Sequence, residues 1–275
     1  NETNLSLKEK IEAGSVRMSE MGTINIYRGV TTGYNSAFII DDEKRKELIK
    51  EDKANKDIIK PLLQGRNIKK WIFESNNENL LFVPWHFPLH NDASISGASE
   101  KAEKKLKTEY SSLYKHLQKF KNELSERNKE ETGIRYEWYS LQRCAASYYP
   151  EFEKEKIIWG LTADKWAFAY DNENHFLPSN GYILTSKTIP IKYLLALMNS
   201  KLMEFYFGFI GIMTAGGAFT LKYETVIEFP IKIIPESAQQ PFITLVDQIL
   251  TAKKKDPNAD TSTLEQQIDK MVYAL

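Results

Sequence analysis

The chain contains two short carboxylate–lysine triplets and a histidine pair, residue types that hold catalytic metal ions in other proteins. The triplets 42–44 (Asp-Glu-Lys) and 51–53 (Glu-Asp-Lys) have the carboxylate-x-lysine order that a metal-dependent nuclease would need. Both lie in a charge-rich run, where such triplets arise by chance. His86 and His90 are four residues apart, but Pro88 between them argues against a helix that would align both rings. We therefore predict histidines in loops without metal, and no catalysis within this chain.

Several motifs that would indicate an enzyme are missing from the sequence. There is no Gly-rich phosphate loop, no G-x-S-x-G, no H-E-x-x-H and no Asn/Asp-Pro-Pro-aromatic tetrapeptide. The single cysteine, Cys144, excludes a disulfide framework and fits a reducing cytoplasm. No apolar run reaches the roughly 18 residues that a membrane span needs, so we expect no membrane partner. The first residue is not Met, which predicts that the chain is an interior piece of a longer protein.

Basic residues cluster in two regions although the formal net charge is +0. Residues 53–71 hold six basic side chains against one acid, Asp57, and residues 101–129 hold about two basic residues for each acid. Such clusters can contact phosphates as point charges, and each contact makes the affinity depend on salt. A solvated face that binds nothing gives the same composition, so charge alone leaves both interpretations open.

Two segments combine hydrogen-bonding side chains with aromatic residues. The opening loop, "NIYRGVTTGYNSAFII" at 25–40, carries Arg, Thr, Tyr and Asn side chains in and around a stretch bounded by two glycines. The segment "GIRYEWYSLQRC" at 133–144 interleaves Arg, Glu and Gln with three aromatic residues. Arg can bind guanine, Gln and Asn can bind adenine, and Glu can accept from cytosine. A glycine turn and a buried aromatic strand are the structural alternatives for these two segments.

Hydrophobic periodicity predicts an α+β fold with a mixed or antiparallel sheet, packed helices and a helical C-terminal tail. Expected strands lie at 24–26, 37–40, 71–73 and 80–83, and in "WYSLQRC", "KIIWGL", "KWAFAY" and "GYILTS". The clearest helix is expected over 109–129, where Leu113, Leu117, Phe120 and Leu124 form one apolar stripe. A buried helix is expected over "PIKYLLALMNSKLMEFYFGFI".

The C-terminal residues predict two further helices. The chain is expected to be helical from Pro241 onward, and Ser262 with Glu265 matches a capping box at the start of the last helix. We expect a lead-in at 1–23, a recognition domain at 24–236 and a C-terminal helical segment at 237–275.

Five segments in the same order resemble the TaqI-like C-terminal specificity domain of adenine-specific DNA methyltransferases and type II restriction-modification enzymes. They are "YRGVTTGYNSAFIID", "DIIKPLLQGRNIKKW", "LYKHLQKFKNELSER", "YLLALMNSKLMEFYF" and "LEQQIDKMVYAL". The resemblance implies a domain that reads double-stranded DNA for an N-terminal methyltransferase domain. That catalytic domain would bind S-adenosylmethionine and flip the target adenine. The chain itself would bind no cofactor and would not be an enzyme.

The resemblance and the polar segments together give a set of candidate DNA-binding residues. Phosphate contacts would position the domain and base contacts would specify the sequence, with Lys69 and Lys70 assigned to phosphates. The candidates are Arg28, Thr31, Thr32, Tyr34, Asn35, Gln64, Arg66, Asn67, Lys69, Lys70, Arg135, Gln142 and Arg143. The alternative is a protein-interaction module whose lysine-rich helices dock a partner subunit without touching DNA.

Overall fold

The structure, a computed structural model, describes residues 2–275 and the side chains from Ser6 onward, and it confirms the α+β fold. Its helices within that range are α1 Glu2–Glu12, α2 Asn35–Phe38, α3 Asp42–Glu51, α4 Asn55–Ile58, α5 Glu100–Glu109, α6 Ser111–Gln118, α7 Lys121–Glu126, α8 Ile191–Met198, α9 Lys201–Ile210, α10 Tyr223–Val226, α11 Glu236–Lys255 and α12 Ser262–Tyr273. Its strands are β1 Val16–Arg17, β2 Ile24–Arg28, β3 Ile39–Asp41, β4 Ile59–Pro61, β5 Glu78–Leu81, β6 Lys156–Gly160, β7 Thr162–Ala163, β8 Ala169–Asp171, β9 Gly181–Ser186, β10 Ile212–Met213, β11 Phe219–Thr220 and β12 Pro230–Ile231. Among these residues, the helices are too short or too polar to cross a lipid bilayer.

A four-stranded antiparallel sheet with the order β2-β9-β6-β8 divides the molecule into two halves. Side chains alternate between the two faces of a strand, and here both faces are covered. Ile158 and Ile183, paired in register, pack into a first core, whereas Ile157 and Leu184 pack into a second core. Every residue of β6 is buried because neither face of this strand meets solvent.

The first core lies between this sheet and a smaller sheet of order β3-β5-β4 with helices α5, α6 and α7. Leu80 of the small sheet and Leu113, Leu117 and Leu124 of the helices are fully buried in it. We call this side of the molecule the loop half, because residues 62–77, 82–99 and 127–155 run over it largely without regular structure.

The second core lies on the other face of the sheet, under helices α8, α9, α11 and α12. Leu195, Val246, Ile249 and Ile268 of three of these helices are buried there together with Ile26 of β2. We call this side the helical half. The domain limits 24–236 and 237–275 stay a prediction, and the C-terminal helices share this core with the central sheet.

The prediction of one continuous helix over 109–129 is wrong, but the predicted apolar stripe is correct. Tyr110 leaves helical geometry with φ −131° and ψ 53°, and Phe120 does so again, which separates α5, α6 and α7. Leu113, Leu117 and Leu124 nevertheless face the first core. Periodicity detects a buried face, but it does not detect a break that keeps the same residues buried.

Three strand predictions also need correction. Residues 37–40 begin as the helical turn α2, and only Ile39 and Ile40 belong to a strand. Trp71 and Phe73 make isolated bridges to Ala169 and Ile68 instead of pairing with β5. Residues 138–144 are buried and aromatic but irregular, since burial of large side chains is common to strands and packed loops.

Three helix predictions also change at the residue level. The buried segment 190–210 is two helices, with Ser200 accepting from the Met203 amide as the N-cap of α9. The capping box at Ser262 is wrong because Thr261 is the N-cap of α12, and its hydroxyl donates to Glu265 at 2.8 Å. Helix α11 begins at Glu236, five residues before Pro241.

Candidate nucleic-acid interface

The opening loop is held by backbone hydrogen bonds to two distant segments. The Thr31 amide donates to the Arg143 carbonyl at 3.0 Å, and the Arg143 amide donates to the Thr31 carbonyl at 2.9 Å. The Val30 amide donates to the Leu177 carbonyl at 2.9 Å. The loop therefore joins the sheet to the segment that carries Gln142 and Arg143.

Glycine is required at two positions of the opening loop for different physical reasons. Gly33 has a φ of +76°, a conformation that favours glycine. Gly29 is needed for close approach, because a Cβ there would lie 2.1 Å from the Pro178 carbonyl oxygen. Positive φ therefore explains only one of them.

The candidate side chains of the opening loop divide into exposed and packed groups. Arg28 and Asn35 are exposed and Thr31 is half-buried. Thr32 is buried and donates its hydroxyl to Asn35 Oδ1 at 2.6 Å, whereas Tyr34 packs against Phe120 with ring centroids 5.9 Å apart. Thr32 and Tyr34 thus serve the shape of the loop. Arg28, Thr31 and Asn35 keep exposed or half-buried side chains, although Arg28 Nε also donates to the Ser179 carbonyl and Asn35 Oδ1 accepts from Thr32.

The basic candidates of the 133–144 segment meet at one carboxylate. Arg135 and Arg143 each lie 2.7 Å from a different oxygen of Glu131. The hydrogen bond from Arg143 and the nearby charge of Arg135 lower the pKa of Glu131, so it stays ionised well into the acid range. Gln142 is half-buried, and its Oε1 lies against Gly33. The structure therefore brings Gln142 and Arg143 to the opening loop.

The turn at 64–70 forms a separate group with its own internal contacts. Gln64 donates to Glu78 Oε2 at 2.9 Å, and Arg66 donates to Glu78 Oε1 at 3.0 Å. Asn67 Oδ1 accepts from the Gln64 amide at 3.0 Å, which makes Asn67 part of the turn's own cap. Arg66 has the most exposed side chain of this group at 70%.

The two lysines of this turn point away from the opening loop. Lys69 Nζ donates to the Arg66 carbonyl, and Lys70 Nζ lies 2.7 Å from Glu265 of α12. The Trp71 bridge partner, Ala169, is on β8, whereas Arg28 is on β2, the opposite edge of the central sheet. The structure thus places Lys69 and Lys70 apart from the loop candidates.

A sequence profile of the TaqI-like C-terminal specificity domain matches residues 60–231. The chain belongs to this family. The matched range contains the 64–70 turn, Glu131, Gln142, Arg143 and the central strands β6, β8 and β9. The family assignment predicted from the five segments is confirmed.

Comparisons with individual proteins agree with the specificity-domain assignment. The chain is 22% identical over 251 residues to the type II methyltransferase M.MjaIV of Methanocaldococcus jannaschii, covering 90% of this chain and 76% of that protein. The fold is similar to the type IIL restriction-modification enzyme MmeI solved with DNA, at a TM-score of 0.60 and 12% identity over 94% of this chain. It is also similar to the type IIG restriction endonuclease BpuSI, at a TM-score of 0.52 and 13% identity over 98% of this chain. The specificity domain spans about a third of the length of these two enzymes, 34% and 33%.

The triplets and the histidine pair occupy structural positions in the specificity domain. The first triplet opens α3 and the second begins at its last residue, and among the described residues no group of three His, Cys, Asp or Glu side chains is close enough to share a metal. His86 Nδ1 lies 3.0 Å from buried Glu137, whose carboxylate also accepts from the Ser99 amide at 2.8 Å. Burial lowers the pKa of His90.

Sequence reasoning missed the residues that hold the candidates in place. Glu78 and Glu131 bind the basic candidates, and Arg127 connects the opening loop to the 133–144 segment by hydrogen bonds to Thr32, Trp138 and Ser140. Spacing alone does not identify them, because most of their partners lie 11 to 95 residues away and are often backbone carbonyls.

Proposed function

We propose that this chain is the DNA target-recognition domain of a site-specific adenine DNA methyltransferase or of a fused type II restriction-modification enzyme. The observation that carries this proposal is the family match over 60–231. The recognition domain would be 24–236, with a lead-in at 1–23 and the C-terminal helical segment at 237–275. The protein would act in the cytoplasm.

The proposed division of labour follows from what the chain contains. The specificity domain is not catalytic, and methyl transfer from S-adenosylmethionine to adenine would belong to an N-terminal catalytic domain of the same polypeptide. M.MjaIV is described as a methyltransferase, which supports such a partner. Target flipping would occur in that domain, while this chain reads the surrounding base pairs.

The geometry supports a reading surface formed by the opening loop with Gln142 and Arg143. Arg28, Thr31, Asn35 and Arg143 present exposed or half-exposed polar groups from two segments joined by the Thr31–Arg143 hydrogen bonds. Side chains of this kind can reach base edges in the major groove. Arg66 and Arg135, with 70% and 61% of their side chains exposed, would contact phosphates.

The acids beside these arginines do not prevent them from binding DNA. Each surface ion pair is worth only about 0–1 kcal/mol, so a phosphate can replace Glu131 or Glu78 as the partner. DNA binding would then break an arginine–glutamate ion pair and release a counterion from the phosphate. The affinity for DNA would fall as the salt concentration rises.

The test compares two double variants of equal charge change in duplex-binding titrations at several salt concentrations. Arg28→Ala/Arg143→Ala should lower duplex affinity about tenfold or more and reduce the salt slope by about 1–2. Lys254→Ala/Lys255→Ala removes two exposed charges from the end of α11 and should leave both quantities nearly unchanged. Equal losses in the two variants, or no duplex binding at low salt by the wild-type chain, would overturn the proposal in favour of a protein-docking module.

A further inference from the structure

Arg127 is a buried arginine at the point where the loop half is least regular. It is the C-cap of α7 and only 8% exposed. Its Nε donates to the Leu124 carbonyl at 3.0 Å, and its Nη2 donates to the carbonyls of Trp138 and Ser140 at 2.8 Å each. Its Nη1 donates to the Thr32 carbonyl. One guanidinium therefore joins α7, the opening loop and the 133–144 segment.

Burial of the charged Arg127 side chain has a desolvation cost, which its hydrogen bonds must offset. Among the described residues, the four hydrogen bonds of Arg127 all end on carbonyl oxygens and none on a carboxylate. Burial lowers the pKa of Arg127 to about 10, which still leaves it charged at neutral pH. A cation without a neutralising anion is normally excluded from protein interiors.

The geometry of the contacts is specific to a planar fork with five donors. Lysine presents its three donors around one nitrogen and cannot bridge carbonyls that lie on opposite sides of the group. The guanidinium also stacks over Phe38, with its carbon 5.5 Å from the ring centroid. Phe38 belongs to α2, the helical turn within the opening loop.

We propose that Arg127 is the positioning residue that sets the relative placement of the two DNA-reading segments. This inference rests on the proposed function. Thr32 lies next to Thr31, and Ser140 lies two residues before Gln142, so a shift at Arg127 moves both sets of candidate side chains. Base-edge hydrogen bonds fail when donor and acceptor separate by more than a few tenths of an ångström. Phosphate contacts by long exposed side chains tolerate such a shift, so discrimination should suffer more than total affinity.

The experiment uses a pool of duplexes with randomised cores, so that each variant selects its own preferred sequence. Bound duplexes are separated and sequenced, and the preference of each variant is the enrichment of the wild-type preferred sequence over the pool. Arg127→Lys should lower this enrichment about tenfold and change the affinity for the unselected pool less than about threefold. Gly33→Ala gives a second variant at an exposed site. Its added methyl would lie 2.7 Å from Arg127 Cδ and 2.5 Å from Gln142 Oε1, so these side chains would have to shift.

Two controls separate positioning from general loss of stability. Val246→Ala, in the second core, should destabilise the chain by truncating a fully buried side chain without moving the loops, and should keep the enrichment. Amide hydrogen exchange at Thr31 and Arg143 should rise at least tenfold in Arg127→Lys, while exchange at Ile158 and Ile183 of the central sheet stays slow.

The possible outcomes test the inference and the proposed function separately. Loss of enrichment in both Arg127→Lys and Gly33→Ala, but not in Val246→Ala, supports the positioning role. Retained enrichment in a folded Arg127→Lys, or equal loss in Val246→Ala, overturns it while leaving the proposed function intact. Absence of duplex binding by the wild-type chain overturns the proposed function itself.

Discussion

The two halves of the molecule face the same sheet but are organised by different interactions. The helical half is held by apolar helix faces, with Leu195, Val246 and Ile268 buried and capped helices around them. The loop half buries several polar and charged groups, among them His116, Arg127 and Glu137. Each of these three bonds to backbone groups of a loop.

This difference shows how a domain can vary its target while keeping its fold. Apolar packing tolerates substitutions of similar volume, so the fold of the helical half can be kept when its residues change. Loops fixed by a few side-chain hydrogen bonds change shape when one of those bonds changes, and binding residues are commonly placed on such loops. The loop half is therefore where we expect both the readers and the sensitivity to single substitutions.

The largest effect is expected at the buried pair between the two cores. Lys156 Nζ lies 2.6 Å from Asp171 Oδ2 across β6 and β8, and both side chains are fully buried. Asp171→Asn should lower the free energy of unfolding by about 3–5 kcal/mol, since it leaves the Lys156 ammonium buried without its counterion.

An exposed pair of equal length provides the control for that substitution. Lys192 Nζ also lies 2.6 Å from Asp247 Oδ1, but the side chains are 26% and 49% exposed. Asp247→Asn should cost no more than about 1 kcal/mol. Urea unfolding curves of the two variants measure the comparison, and similar midpoints would show that the sheet does not depend on its buried pair.

The two halves were also unequal in how well the sequence predicted them. Apolar, aromatic and β-branched composition correctly indicated the buried helical segment 190–210 and the strands "KIIWGL" and "GYILTS", and the 3.6 period correctly indicated one stripe of the loop half, through Leu113 and Leu117. The burial of these elements can be read from their own residues. Residues 133–144 do not, because their shape depends on Arg127 and on backbone bonds to Thr31.

The candidate site shows the same limit. Exposed polar residues such as Arg28, Asn35 and Arg143 could be nominated from residue type. Thr32 and Asn67 could not be separated from them, because only the fold shows that Thr32 is buried against Asn35 Oδ1 and that Asn67 Oδ1 caps its own turn. The acids Glu78 and Glu131 were also out of reach, since each meets its arginine through tertiary structure or across an irregular segment.

The second prediction is that acid weakens the loop half through His116. Its Nε2 donates to the Ala37 carbonyl at 3.0 Å, beside the opening loop. Burial lowers the pKa of His116, and the nearby charges of Lys44 and Lys119 act in the same direction. The unfolded chain therefore takes up a proton below about pH 6.5 while the folded chain does not, so stability falls as the pH drops from 6.5 toward the folded-state pKa.

The measurement is the free energy of unfolding at several pH values between 7.5 and 5. His116→Gln retains a donor for Ala37 without a titrating group, so its stability should depend less steeply on pH than that of the wild type. His90, whose pKa is also lowered by burial, contributes the same sign and stays present in both proteins. Parallel curves would show that His116 does not link the loop half to pH.

The smallest expected effect concerns the carboxylate shared by Arg135 and Arg143. Glu131→Gln removes the negative charge that both arginines face at 2.7 Å and frees them for phosphate or base contacts. Affinity for an unselected duplex pool should rise about two- to fivefold, the range expected from releasing surface ion pairs. Glu109→Gln is the matched control, because Glu109 also faces a basic residue, Lys105 at 3.6 Å, but lies on α5 away from the opening loop. A gain in Glu131→Gln alone would place the binding surface beside Arg143, whereas equal gains in both variants would mean that duplex affinity follows total charge and does not depend on the surface beside Arg143.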